Sequence, residues 1–292
     1  MARPGRTLWA QAACVIVLLS AFTCAAGTPQ EPTPATTTYS PQELVRRMVE
    51  TELRVQEQDH SKWRFISRKE AEGTVTVYEK VQTKDGTLRM AISVNGHSLS
   101  PSEEEKEEQR LQQFANDPAA QAKKLKAERE DAEKAKRMFQ MFPDAFLYTH
   151  DGEENGCTVL RFVPNPDFNP PSREAMVFHA MAGKMWIQPK QMRFAKMQAS
   201  LMDDVKFGWG LLGHLDRGGT MLVEQKEVAP GHWEVVELDL DLKGKIVFFK
   251  NLNVQEREKN YRFERLDENI DLAQGVRLLR QGERSASTVA GK

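Results

Sequence analysis

The side chains that could bind a metal ion are scattered along the chain without a recognisable motif. Zinc sites usually contain ligand pairs at short spacing, such as His-Glu-x-x-His on a helix or Cys-x-x-Cys on a turn. Neither pattern occurs, and no two histidines stand four residues apart on a predicted helix. The histidines are His60, His97, His150, His179, His214 and His232. The sequence therefore predicts no metal site and no cofactor, and it leaves open only a site assembled from distant residues.

Motifs for nucleophilic catalysis and phosphate binding are also absent. The sequence has neither a Gly-x-Ser-x-Gly elbow nor a Ser-x-x-Lys pair. The glycine-rich stretch 208–213 is not followed by Gly-Lys-Ser/Thr, so it is interpreted as a tight bend with Trp209 packed on a sheet. Asp239 and Asp241 lack the spacing of a calcium loop and are typical of the solvated face of a strand. We therefore predict that the chain is not an enzyme.

Methionine has an uneven distribution. Of 12 methionines, seven fall between Met176 and Met221, interspersed with aromatic residues. Because methionine is flexible and polarisable, a concavity that it lines adapts to apolar ligands of varied shape. Ordinary core packing would bury the same side chains and stays an alternative. The residues predicted to line a ligand site are Met185, Trp186, Phe194, Met197, Phe207, Trp209 and Met221.

The charge balance argues against a nucleic-acid-binding protein. Lys and Arg number 41 and Asp and Glu number 42, which gives a formal net charge of −1 at pH 7. A nucleic-acid-binding protein would carry an excess of basic residues on one face.

The N-terminal segment has the order of a secretion signal. Residues 1–26 contain two arginines, then the apolar stretch Leu8–Phe22, then small residues before Gly27. Lipid modification of Cys24 stays an alternative. Residues 27–39 are rich in Pro and Thr and are predicted to be a flexible leader. We therefore expect an exported, periplasmic protein, with association with the outer membrane left open.

The remainder of the chain predicts one domain, residues 40–280, followed by a disordered tail, 281–292. A capped helix over Pro41–Gln58 leads into strands of alternating polarity separated by short turns, one of them at Lys243-Gly244. The charged segment 101–142 is predicted to be a helical insertion. Strands joined by short turns form an antiparallel sheet, and a large sheet with one apolar face must curve. The predicted fold class is α+β, a large curved antiparallel sheet (half-barrel) with covering helices.

Four short stretches resemble a known family. Gly-Lys-Met-Trp-Ile-Gln-Pro at 183–189 and Met-Arg-Phe-Ala-Lys-Met at 192–197 resemble the periplasmic lipoprotein-carrier superfamily (LolA/LolB-like, outer-membrane lipoprotein-sorting). Residues 204–210 and 225–233 resemble an uncharacterised exported bacterial branch of that superfamily. The resemblance implies acyl-chain binding in a hollow between the sheet and its lid helices, and it implies no catalytic residue. The long charged insertion departs from the typical carrier.

These observations favour a non-enzymatic protein of the envelope. It is expected to bind an apolar ligand, a lipid or the acyl chain of a lipoprotein, in a concave sheet. One alternative is an interaction or scaffold protein that uses the charged insertion to bind another envelope protein. The other alternative is an enzyme with a dispersed site.

Overall fold

The computed structural model describes residues 39–207, 213–246 and 249–289, which form an α+β fold. The helices are α1 (Pro41–Gln58), α2 (Pro101–Ala115), α3 (Pro118–Gln140), α4 (Phe142–Ala145) and α5 (Leu272–Val289), with a short 3-10 helix at Glu174–His179. The strands are β1 (Lys62–Ala71), β2 (Thr74–Thr83), β3 (Gly86–Val94), β4 (His97–Ser98), β5 (Phe146–Glu154), β6 (Cys157–Pro164), β7 (Met181–Gln188), β8 (Arg193–Leu201), β9 (Val205–Phe207), β10 (Gly213–Leu215), β11 (Thr220–Ala229), β12 (His232–Ile246) and β13 (Phe249–Leu266). The predicted signal peptide 1–26 and nearly all of the predicted leader lie outside the described residues.

The thirteen strands of the described residues form one large open antiparallel sheet. Its order is β4-β3-β2-β1-β13-β12-β11-β8-β7-β6-β5, and the short strand β10 pairs with β12 and β9 at one side of this path. The last strand in the chain thus lies between β1 and β12 and joins the N-terminal strands to the rest. Among the described residues, none of the helices combines the length and the apolar character that spanning a bilayer requires.

Helix α1 has the predicted bounds because its ends are specified locally. The Ser40 side chain accepts a hydrogen bond from the backbone N–H of Glu43, and Pro41 occupies the first turn, where its missing N–H costs nothing. The apolar stripe of the helix is buried at Leu44, Val45, Met48 and Val49. The insertion is helical, as predicted, and forms α2 and α3.

The strand register determines which side chains share a face of the sheet. Paired residues on adjacent antiparallel strands lie on the same face, and neighbours along a strand lie on opposite faces. One row of pairs runs through Met185, Met197, Val223, Leu238, Glu258 and Lys69. Alternate positions on β1 carry this face to Phe65, which pairs with Lys80 on β2. We call this side the α1 face and the opposite side, where Val81 and Met90 lie, the α5 face.

The helices cover opposite faces at opposite ends of the sheet. Helix α1, α4 and the 3-10 helix enclose the main core cluster with β5 to β8, whereas α2 and α5 enclose a second cluster with β2 and β3. On the α1 face above β13 and β1, ion pairs replace apolar contacts: Lys69–Glu256 and Lys80–Glu258, each 2.6 Å. The expectation of a single apolar face is therefore wrong, because α1 and α5 cover apolar clusters on opposite faces.

Two other sequence expectations differ from the structure. Gly244 lies within β12 and not in a turn: a Cβ there would lie 2.2 Å from the backbone oxygen of His214, so the glycine permits the close approach of β10. Residues 281–289, predicted to belong to a disordered tail, continue α5. Burial of Leu272, Val276 and Leu279 anchors the start of that helix, and each further residue then adds a hydrogen bond at little cost.

Replacement of Gly183 by alanine is expected to destabilise the protein by at least about 2 kcal/mol. Gly183 pairs with Ala199, and an added Cβ would lie 1.9 Å from the backbone oxygen of Gln198, so β7 and β8 would have to separate. Urea denaturation measures the effect, and Lys184→Ala, at an exposed neighbouring position, is the control. Equal midpoints for the two variants would contradict the close strand approach.

Candidate functional site

Four of the predicted ligand-lining residues belong to the main core cluster, which α1 helps to enclose. Met185, Phe194, Met197 and Phe207 all belong to the main cluster, and the first three are at most 1% exposed. Met221 is partly buried against the same cluster. The protein's own side chains, including those of α1, therefore cover these residues.

Trp186 and Trp209 do not join this group. Trp186 follows Met185 on β7 and therefore lies on the opposite face, where it packs with Val159, Ala195 and Trp233. Its indole N–H donates to Glu154 (3.0 Å), and the ammonium group of Lys196 lies over its ring. Trp186 therefore does not share a face with Met185, because strand alternation separates the two residues. Trp209 lies outside the described residues.

The core beneath α1 is unusually rich in methionine. Nine of the 12 methionines of the chain belong to it or pack against it: Met48, Met138, Met141, Met176, Met181, Met185, Met192, Met197 and Met221. They come from α1, the end of the insertion, the 3-10 helix, β7, β8, β11 and the turn between β7 and β8. Unbranched thioether side chains can change rotamer at little cost, so this core can repack more readily than one built from branched residues.

A buried polar cluster lies beside this core, where β1, β8 and β12 begin and β13 ends. We call it the strand-end cluster, and its members are Glu52, Asp59, Trp63, Arg193, His232 and Glu234. All six are at most 9% exposed. Helix α1 and its C-cap contribute Glu52 and Asp59, and the sheet contributes the others.

The strongest contact in the cluster joins α1 to β8. The Arg193 guanidinium donates from Nε to Glu52 Oε1 (2.8 Å) and from an Nη to Oε2 (3.2 Å), and the backbone N–H of Phe194 also donates to Oε1 (2.8 Å). Arg193 lies 5.6 Å from the centroid of the Trp233 ring. A bidentate, charge-assisted pair of this kind fixes the orientation of the helix on the sheet.

His232 lies between a carboxylate and a guanidinium. Its Nδ1 is 3.5 Å from Asp59 Oδ2, and its Nε2 is 3.2 Å from an Nη of Arg265. Because a guanidinium only donates, Nε2 must accept, which places the imidazole proton on Nδ1, toward Asp59. The edge of the Trp63 ring packs against the imidazole, with centroids 5.7 Å apart.

Glu234 is the carboxyl group of the cluster whose pKa lies furthest from its ordinary value. Burial, reinforced by the negative charge of Asp59, raises the pKa of Glu234 to about 8, although Arg193 and Lys62 act against this. Burial also raises the pKa of Asp59, against a hydrogen bond from the backbone N–H of Ser61, and lowers the pKa of Lys62. Glu234 is therefore a neutral carboxylic acid at neutral pH.

Several buried polar atoms at or beside the cluster make no hydrogen bond to any described residue. They are Ser61 Oγ, Trp63 Nε1, Gln225 Oε1, His232 Nδ1 and Glu234 Oε1. The Trp63 indole N–H lies close enough to lower the pKa of Glu234 without reaching normal hydrogen-bond geometry. No group of three or more His, Cys, Asp or Glu side chains within 39–207, 213–246 and 249–289 is arranged to hold a metal ion.

The sequence analysis missed this cluster, although one signal was present. Glu52 stands at the helical spacing of the stripe formed by Val45, Met48 and Val49, so its carboxylate had to be buried with α1. A buried carboxylate requires a cation or several donors. Nothing in the sequence identifies Arg193 as that cation, because 141 residues separate the pair.

Comparisons with known proteins give little further information. No family model matches the chain, and no curated protein matches it. Among solved structures, it is similar to a DUF1329 family protein from Desulfovibrio piger at 11% sequence identity, with a TM-score of 0.26, over 80% of this chain and 94% of that chain. A likeness this distant carries no argument about fold or function.

Removal of one partner of the Glu52–Arg193 pair is expected to be costly. Glu52→Ala or Arg193→Ala should lower the free energy of unfolding by about 3–5 kcal/mol, because each leaves a buried charge without its partner. The double variant Glu52→Leu/Arg193→Met, which removes both charges, should lose much less. Urea denaturation measures all three.

The matched control for this pair is Asp239–Arg257, an exposed ion pair with a distance of 2.7 Å. Asp239→Ala should cost no more than about 1 kcal/mol. Equal losses for Glu52→Ala and Asp239→Ala would contradict the assignment of a buried, coupled pair.

The raised pKa of Glu234 predicts a pH dependence of stability. Between the ordinary pKa of glutamate, about 4.5, and the folded value of about 8, the folded state retains a proton that the unfolded state has lost. Stability contributed by this group is therefore present at low pH, falls as pH rises to about 8, and then levels off. Glu234→Gln should remove this slope, measured as urea midpoints from pH 5 to 9. Parallel profiles for Glu234→Gln and the exposed-site control Glu153→Gln would contradict the prediction.

Proposed function

We propose that the chain is an exported, non-enzymatic binding protein that takes an apolar ligand, a lipid or the acyl chain of a lipoprotein, between α1 and the sheet. The observation that carries the proposal is the methionine-rich core: Met185 and Met197 on the sheet lie beneath one amphipathic helix that Glu52 attaches to β8. In this proposal α1 occupies the site in the unliganded protein and shifts to admit the ligand.

The energetics favour a shift of α1 over its complete removal. An acyl chain of about 15 methylenes gains about 12 kcal/mol on burial, at about 0.8 kcal/mol each. Full exposure of the four buried apolar side chains of α1, Leu44, Val45, Met48 and Val49, costs about 6–12 kcal/mol. Since the two quantities are comparable, useful affinity requires the helix to keep part of its contacts while methionines repack around the ligand.

The proposal includes a curved sheet. A sheet of this width coils because of its intrinsic strand twist, and α1 covers only its β5-to-β8 end. We infer that the sheet bows around α1 as a half-barrel, with the ligand beneath the helix. The ion-paired part of the α1 face, above β13 and β1, then forms the polar margin of the site.

The signal-like order of residues 1–26 supports an exported, periplasmic location. Ligand capture of this kind also suits an envelope, where acyl chains must cross an aqueous space in a protected form. The family resemblance of 183–189 and 192–197 supports the same function. Of the charged insertion, only the C-terminal end, which includes Met138 and Met141, packs against the methionine-rich core.

The test uses residues 27–292, purified gently and examined by native mass spectrometry, then delipidated and titrated with a fluorescent fatty acid. We expect co-purified lipid and saturable binding. Met185→Leu/Met197→Leu conserves core volume but stiffens the lining, so it should weaken binding on the order of tenfold with little loss of stability.

Met90→Leu is the matched control, because Met90 is a fully buried methionine of the second core cluster. It should leave binding unchanged. A folded protein that shows neither co-purified lipid nor saturable binding would overturn the proposal. A co-purified protein without lipid would favour the scaffold alternative instead.

A further inference from the structure

The two ends of α1 are held to the rest of the protein by different forces. Apolar side chains of the first three turns pack into the main core, whereas the last turns and the C-cap place two carboxyl groups, Glu52 and Asp59, against the strand-end cluster. Leu53 and an ion pair between Glu57 and Lys136 (2.7 Å) also hold the C-terminal half. Its most buried polar contacts are nevertheless charged, and charge there depends on protonation.

The charges that face Glu234 come from every element around it. Asp59 at the C-cap of α1, Arg193 on β8 and Lys62 on β1 act directly on the pKa of Glu234. Glu52 and His232 contact Arg193 and Asp59, respectively. Arg265 on β13 contacts His232, and its guanidinium also pairs with Glu268 (3.4 Å). With Glu234 neutral, the two carboxylates of α1 face the two cations Arg193 and Lys62.

Ionisation of Glu234 disturbs this balance. It adds a third carboxylate beside Asp59 in a site where the described residues supply no further unpaired cation. Low dielectric strengthens the resulting repulsion. Glu234, on the sheet side of the contact, would then carry the same negative charge as Glu52 and Asp59 on the helix side.

We propose that the strand-end cluster is a proton-controlled clamp on α1, in which the C-terminal half of the helix docks on β8 and β12 while the carboxyl of Glu234 is protonated and is released as that proton passes to solvent. The unpartnered Glu234 Oε1 fits this role, because an ionised carboxylate there would receive no hydrogen bond from a described residue and would be stabilised by water instead. The clamp needs no ligand and stands apart from the proposed function.

Hydrogen exchange followed by mass spectrometry tests the clamp in the unliganded protein, from pH 6 to 9.5 after correction for intrinsic exchange rates. Opening coupled to the loss of one proton should reduce the protection of the C-terminal half of α1 by up to about tenfold per pH unit. The loss should level off near pH 8. Peptides of α5 should keep their protection.

Glu234→Gln should make the protection of α1 independent of pH, and Asp59→Asn should move the levelling point to lower pH, since it removes the neighbouring negative charge. Glu153→Gln, at an exposed site on β5, is the control and should behave as the unaltered protein. Two results would overturn the clamp: the same pH profile in Glu234→Gln and the unaltered protein, or simultaneous loss of protection in α1 and α5, which reports global unfolding.

Discussion

The alternation of side chains across one unbroken antiparallel sheet determines which residues of this protein meet. Because paired residues share a face, a single row of pairs carries the α1 face from Met185 on β7 to Lys69 on β1. The same rule places Val81 and Met90 on the opposite side. The helices follow this pattern, and each covers the part of a face that is apolar.

Helix α1 combines two kinds of attachment that have different physical properties. Apolar burial through Val45 and Met48 is insensitive to pH and tolerant of small shifts. The Glu52–Arg193 pair fixes orientation, and it is sensitive to any change of charge nearby because both groups are buried. A helix held in this way can stay associated through its apolar stripe while its polar end changes state.

The methionine-rich core and the strand-end cluster are neighbours on the chain as well as in space. Arg193 and Phe194 are consecutive: the first binds Glu52 and the second enters the core beneath α1. The backbone N–H of Phe194 also binds Glu52, so movement of the helix end acts directly on a strand that lines the proposed ligand site. The polar contacts and the apolar lining are thus mechanically joined at the start of β8.

Local sequence determined the elements whose causes are local. The Ser40 cap and the apolar stripe specified α1, and the charged composition of 101–142 specified the helices of the insertion. Sequence reasoning failed where the cause is a contact between residues far apart in the chain. Gly244 was predicted to lie in a turn, but the glycine is there because the backbone of β10 lies close beside it. Trp186 was predicted to line the same site as Met185, but strand alternation places the two side chains on opposite faces of the sheet.

The pairing of Glu52 with Arg193, and of His232 with Asp59, depended on tertiary structure alone. Each pair joins elements far apart in the chain, and it forms because β13 inserts between β1 and β12 and brings the ends of several strands under α1. The sequence by itself determined that a carboxylate in the stripe of α1 must be buried. Only the folded sheet decided which cation meets it, because contacts between distant strands are set by register and not by local propensity.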